Sequence, residues 1–385
     1  SPYYIGVNQS FGYNSNLYSS ETDELASGLS TTSIVGGFDQ PVGRQRFYGN
    51  GNFGYNYFFN EEARGLNSNS YGLNLGWDWQ TIERLSGTAR LTANQGLVYY
   101  NVAGTPNIRQ KNIQNLSQAE LTGRYGISPD VGLNLGYVYR RVNFSAPEYA
   151  YEEYNQNGVN IGLSYGSNSI WNFGAGFRFT RTDYPFYPHR FPSRELGDQG
   201  DGKNFDLTAK WIPNGLSTVD VRLSYSDIVY EVNTSRDFNG FNGAINWNWR
   251  PTGKIQSQLS FVGSPGYAST FYGFEGAPVQ VDNSKFARTL RWSGTYLATA
   301  KTTFTASIGL TKDFLTQTIL GFTEDGYDLV TVGTIGASYT PTRNSQLSCN
   351  FSYSDRSVSD NAERFRMSYP YNVSSVTCSG QIVFQ

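Results

Sequence analysis

Several residue groups in this chain have the type and spacing to do chemistry. Carboxylates cluster at Asp23 and Glu24 and again at Glu148, Glu152 and Glu153, and two acids at short range can act as proton donor and acceptor across a glycosidic bond. Gly49, Gly51 and Gly54 have the G-x-G-x-x-G spacing of a dinucleotide loop, in which glycines let backbone amides approach a pyrophosphate. His189 is the only imidazole, and Cys349 and Cys378 are the only thiols.

Each group lacks the companions that its chemistry needs. The acids fall in connecting segments, where carboxylates more often hold divalent ions that bridge lipopolysaccharide. The glycine pattern is not preceded by a strand or followed by a helical segment, so it reads as a Gly-rich strand. One histidine offers neither a metal cluster nor a base with an orienting partner, and no Ser stands with a His and an acid on adjacent strands. No enzymatic activity, cofactor or metal centre is expected.

What remains is a long series of polar side chains spaced two apart. In residues 71–80 every odd position is bulky and apolar (Tyr71, Leu73, Leu75, Trp77, Trp79), and every even one is Gly, Asn, Asp or Gln. A strand of period two carries one greasy and one wet face. The theme returns in 131–140, 171–180, 219–226, 241–250 and 346–354. Alternating segments of about ten residues are the signature of an all-β, transmembrane antiparallel up-and-down β-barrel.

Composition agrees with that reading. The 385 residues include 42 Gly, 29 Tyr, 25 Phe and 7 Trp with 16% charged residues, too few aliphatics for the core of a soluble sandwich or propeller. There is no apolar run long enough for a helical span, and negative mean hydropathy is normal when half of every strand faces water. Net charge is −2, so no nucleic-acid partner is expected. A chain that enters a strand at once after Ser1 and Pro2 suggests a processed product with its export signal removed.

Strands are expected at 3–13, 30–39, 46–59, 70–80, 85–100, 114–127, 131–143, 158–165, 171–181, 204–211, 218–230, 238–250, 255–262, 286–297, 302–314, 327–340, 345–354 and 374–384. That makes about 18 strands in one domain over residues 1–385, with 16 as the nearest alternative. Connections alternate short and long. Short turns such as Ser128-Pro129-Asp130, Pro213-Asn214-Gly215 and Pro251-Thr252-Gly253 have the residues that tight corners favour. Long connections include 14–29, 61–69, 101–113, 144–156, 182–203, 263–285 and 355–372. In outer-membrane barrels short turns are periplasmic and long loops extracellular, which places both termini in the periplasm of a Gram-negative bacterium. Trp77, Trp79, Trp171, Trp211, Trp247 and Trp249 all lie near proposed short turns, as a periplasmic aromatic girdle would.

Alternation sends Asn74, Asp78, Arg90, Glu120, Arg124, Arg140, Arg178, Asp206, Lys210, Asp220, Arg222, Asn246, Asn248, Arg250 and Arg291 to the wet face. These are the candidate pore-lining residues, and a wall mixing both charges with amides suits a hydrated, hydroxyl-rich solute. Within the Pro-rich loop, Tyr184, Phe186, Tyr187 and Arg190 could contact sugar rings at the pore mouth, or belong to an ordinary surface loop. Cys349 and Cys378 share the lipid-facing parity of neighbouring strands. An inter-strand disulfide forms there if the register sets them opposite, and two free thiols remain if it does not.

Two local features also resemble a known group: Tyr13-Asn14-Ser15-Asn16-Leu17-Tyr18 after the first strand, and the ending Tyr371-Asn372-Val373 through Val376-Thr377-Cys378-Ser379-Gly380-Gln381-Ile382-Val383-Phe384-Gln385, with Cys349 one strand earlier. With the whole-chain architecture, they resemble the β-barrel porin family that includes the exosortase-associated exopolysaccharide outer-membrane proteins. The terminal Gln385 departs from the terminal aromatic of many porins. The resemblance implies passive export of a polysaccharide made by inner-membrane machinery, with periplasmic or inner-membrane export partners and with outer-membrane lipid and lipopolysaccharide around the barrel. Alternatives are an uptake porin for oligosaccharides or small nutrients, and a plugged structural or adhesive barrel.

Overall fold

A computed structural model of the chain describes residues 2–98, 110–166, 170–186, 197–274, 277–319 and 322–384, with the side chains of 148, 267–284 and 319 outside that description. Every expected strand has its counterpart. They run β1 Tyr3–Asn14, β2 Ser27–Val42, β3 Gln45–Phe58, β4 Ser68–Gln80, β5 Leu85–Leu97 and β6 Ile113–Gly126. Next come β7 Val131–Phe144, β8 Tyr154–Tyr165, β9 Trp171–Tyr184, β10 Asp198–Asn214, β11 Ser217–Tyr230 and β12 Phe238–Thr252. The last six are β13 Ile255–Phe274, β14 Ala277–Leu297, β15 Thr302–Ile319, β16 Phe322–Thr342, β17 Ser345–Val358 and β18 Tyr371–Phe384. Consecutive strands pair antiparallel, and β1 pairs with β18 from Ile5↔Phe384 to Asn14↔Ser375, closing an 18-stranded barrel. Closure removes both sheet edges, so every ladder group in the bilayer has a partner.

Alternation decides which way each residue points. Large side chains such as Phe53, Leu91, Leu135, Phe177, Leu223, Ile245, Ile308 and Phe351 are exposed, each on the same face of its strand. That face is the outer, lipid-facing one, and the residues between them line the interior. The Gly-rich stretch 49–54 lies inside β3, and the turn before it needs Gly43 at φ +62°, a region that L side chains avoid.

The tryptophans form a belt. Pairing runs from Trp171 to Trp211, Val219, Trp247, Leu259 and Trp292 in one cross-strand row. Trp292 lies farther along its strand from the proposed short turn than the other six, yet register sets it level with Trp247. Its indole N–H donates to Ser257 Oγ at 3.0 Å, and that of Trp247 donates to Ser217 Oγ at 2.8 Å, so neither buries an unpaired donor in lipid.

Two expectations change. Residues 263–285 are not a loop: β13 and β14 continue as a hairpin of 20 and 21 residues, about twice what a tilted strand needs to cross the bilayer. β15 and β16 do the same, with Ile319 paired to Phe322. The side of the long connections thus stands well clear of the membrane.

The apolar core lies at that end, under the loops, not between layers. Leu17, Leu25, Phe58, Ala63 and Leu66 form one buried cluster, and Leu315, Ala362 and Met367 another. Phe58 and Leu315 sit on the inner face, so residues 15–26, the helical turn Glu61–Leu66 and α1 (Asp360–Arg364) fold inward over β3 and β15–β16. The turn Pro147–Glu152 packs likewise on β7, beside buried Val142.

Candidate functional site

The inner wall has two unlike arcs. The first begins at Asp39 on β2, whose carboxylate receives Arg46 Nε at 2.8 Å and Nη2 at 2.6 Å. The Arg46 guanidinium lies 4.9 Å from the centre of the Tyr48 ring. Tyr48 Oη donates to Asp78 at 3.4 Å and accepts from Arg90 at 3.5 Å, and Arg90 stands opposite Glu120. Charges of alternating sign thus run across five strands, with Asp39 and Arg46 paired directly and Asp78 and Arg90 coupled through one phenol.

The arc continues on β9–β12. Asp206 accepts from Arg178 at 3.2 Å and from the Ser224 hydroxyl, while Asn204 accepts from Ser226 and Asn242 donates to Ser226 at 2.6 Å. Lys210 faces Asp220 at 3.9 Å. Arg222 and Arg140 share this interior parity, as do Asn74, Arg124, Asn246, Asn248 and Arg291, and Arg250 lies at the turn end of β12. A cavity of about 680 Å³ opens on the wall near the short turns, lined by Arg46, Asp78, Thr88, Thr122, Arg124, Asn134 and Asn160.

Asp206→Ala should lower the unfolding free energy by about 1–2 kcal/mol, because Arg178 and Ser224 lose their shared acceptor while water still reaches the guanidinium. Urea titration of the folded barrel in detergent micelles checks this. Asp206→Asn, which still accepts from Ser224, should lose less.

The second arc runs from β15 through β18 to β1. On the short-turn side of the cross-strand row Thr311, Val330 and Arg356, its inner face holds Thr305, Ser307, Thr334, Ser338, Ser348, Asn350, Ser352, Thr377, Ser379, Asn8 and Ser10, and no described charged residue; Arg356 itself lies 4.6 Å from the centre of the Tyr371 ring. Ser348 and Ser379 hydroxyls are 2.8 Å apart, and Thr334 donates to Ser352 at 3.4 Å. Hydroxyls that satisfy one another remain free to exchange those bonds with a passing solute.

The mouth differs from the sequence expectation. Tyr184 is no loop residue: it ends β9 on the inner face, 5% exposed, with its ring centre 5.7 Å from that of Tyr154 and 6.3 Å from that of Tyr230. Arg236 lies over both Tyr184 and Tyr230, at 4.9 and 5.8 Å, and Arg140 lies 5.9 Å from Tyr154. Phe186 is exposed in the turn after β9. Tyr187, His189 and Arg190 lie outside the described residues.

Sequence reasoning also missed a second charged group at the mouth. Asp313 and Asp328 are cross-strand partners, both buried. Lys285 Nζ holds Asp313 at 2.6 Å, and Ser368 Oγ donates to Asp328 at 2.6 Å. Both acids fall within the expected strands 302–314 and 327–340, and parity would have put both inside, but only register shows that they stand opposite each other. On the outer face Cys349 and Cys378 are cross-strand partners joined by a disulfide.

No protein-family model matches the chain, and no curated protein does. Solved structures do match in fold. OpdK of Pseudomonas aeruginosa, solved with vanillate, aligns over 99% of this chain and 99% of its own, at 10% identity and a TM-score of 0.50. OccAB4 of Acinetobacter baumannii aligns over 100% and 99% at 10% identity (TM-score 0.46), and the siderophore receptor PiuA of the same organism over 100% and 82% at 9% identity (TM-score 0.48). An apolar outer belt, a polar interior and this shared architecture make the chain a closed 18-strand β-barrel of the Gram-negative outer membrane.

Proposed function

We propose that this barrel is a channel that conducts a secreted polysaccharide from the periplasm to the outside, passively, with the driving force supplied by inner-membrane synthesis machinery and its periplasmic partners. The observation that carries the reading is the arc of hydroxyls and amides from β15 to β1, whose described residues are uncharged on the short-turn side of Arg356. A neutral glycan can trade hydrogen bonds along such a surface in many shallow steps, and conduction requires binding weak enough to leave. The facing arc alternates its charges, so it orients dipolar hydroxyls without a single-sign field that would trap or exclude a polymer. The resemblance of the chain's two ends to exopolysaccharide outer-membrane proteins points the same way.

Deleting the gene in its native host and measuring secreted and periplasmic polysaccharide tests this. Export predicts loss of the extracellular polymer, with periplasmic accumulation or a matching shutdown of synthesis, and recovery on complementation. Unchanged polymer with slower growth on an oligosaccharide would instead establish uptake. The inward-folded mouth favours that second reading, because a narrow entrance suits small solutes better than a chain.

A further inference from the structure

We propose that the barrel carries a binding site on its lipid-facing surface for a phosphorylated glycolipid of the outer leaflet, built from Arg288 and Lys312. The two residues are direct cross-strand partners on β14 and β15. Both share the outer parity of Leu290, Trp292, Ile308 and Phe314. Like charges set directly opposite each other repel and destabilise the pair, so a chain that keeps them there needs an anion between them.

Among the described residues none supplies one. The acids nearest on the outer face are Asp325, opposite Thr316, and Asp355, opposite Thr331. Among the described residues neither forms an ion pair with Arg288 or Lys312. Elsewhere on the same face, at a similar distance along its strand, Arg181 is neutralised by Asp201 at 2.9 Å. The contrast marks the Arg288 and Lys312 pair as the place where the counter-charge comes from outside.

Position and surroundings say what that counter-charge belongs to. Phe286, Phe314 and Tyr327 form a cross-strand row one step beyond the two cations, toward the long loops. Aromatic rows of this kind mark headgroup level. The Arg288 guanidinium lies 4.8 Å from the Phe314 ring centre, and Lys312 Nζ lies 5.2 Å from Phe314 and 4.1 Å from Tyr327. Both cations therefore reach up from lipid depth to the level of the headgroups. A planar guanidinium fork beside a point ammonium matches the oxygens of a phosphate, and the apolar surface of Phe261, Leu290 and Leu310 below lies where acyl chains run. A free anion would gain only the charges. A phosphorylated glycolipid gains both.

The test is native mass spectrometry of the folded barrel in detergent, titrated with bisphosphorylated lipid A. Wild type should retain one lipid A, and Arg288→Gln with Lys312→Gln should retain about tenfold less at the same concentration. Arg141→Gln, which removes a charge from the same face elsewhere, should retain it normally, and inorganic phosphate in large excess should displace little of it. Heat-modifiable gel mobility confirms that every variant is folded. Equal retention by the double variant, an equal loss in Arg141→Gln, or ready displacement by inorganic phosphate would each overturn the proposal.

Discussion

Removing residues 360–368 and bridging the gap with glycines raises the single-channel conductance of the barrel at least about twofold. The expectation follows from where that segment sits. Ala362 is fully buried and Met367 is 3% exposed, both against Leu315 on the inner face of β15. A Cβ at Gly326 would meet Ala362 Cβ at 2.7 Å, so the helical turn lies on the strand itself and glycine is what admits it. Beneath it, Asp313 and Asp328 face each other, and Ser368 ties the loop to Asp328. Taking the loop away widens the mouth and uncovers Asp313 and Asp328 together with Lys285 and Arg356, two charges of each sign.

Planar-bilayer recordings read the rise, and Gly326→Leu separates opening from shortening. It leaves every loop residue in place but pushes α1 off the wall, so conductance should rise in the same direction. Unchanged conductance in both variants would move the constriction to the Phe58 cluster or to the Tyr154, Tyr184 and Tyr230 group. The deletion also exposes Leu315, at a stability cost of about 1.5–3 kcal/mol if its burial is wholly lost, so recordings should be made well below the unfolding transition.

Replacing Cys349 and Cys378 together by Ala lowers the unfolding free energy by about 3–4 kcal/mol, from the chain entropy released when a closure spanning 29 residues is lost. The place of the bond makes the loss matter. It pins β17 to β18, and β18 is the strand that closes the barrel on β1. Unfolding from the seam has to separate this hairpin or peel it away as a unit. Urea midpoints with and without reductant check the expectation: reduced wild type should match the double variant, and the double variant should not respond to reductant. If reductant leaves wild type unchanged while the substitution destabilises it, lost packing on the lipid face is the cause and the crosslink contributes little.

The sequence by itself determined the barrel, a strand number of about 18 with 16 as the alternative, the two faces of each strand and the gathering of the short turns at one end. Period-two alternation is a local signal, and near-equal spacing between short turns leaves few ways to arrange the strands. Trp77, Trp171 and Trp247 were legible as a belt for the same reason, and Cys349 and Cys378 could be placed on one face of adjacent strands from parity.

Only the tertiary structure decided what depends on register and on packing between distant segments. Parity puts Asp39, Arg46 and Tyr48 inside, but that they join Asp78 and Arg90 in one chain depends on which residues stand opposite, and a slip of one residue reverses every face. Strand ends on the loop side were underestimated because β13 to β16 rise above the bilayer, where no lipid enforces an apolar outer face and the alternation fades. The inward-folded segments had no periodic signal at all. Leu17, Ala63, Ala362 and Met367 look like scattered apolar residues in polar loops, and they acquire a role only because the closed wall offers Phe58 and Leu315 for them to cover.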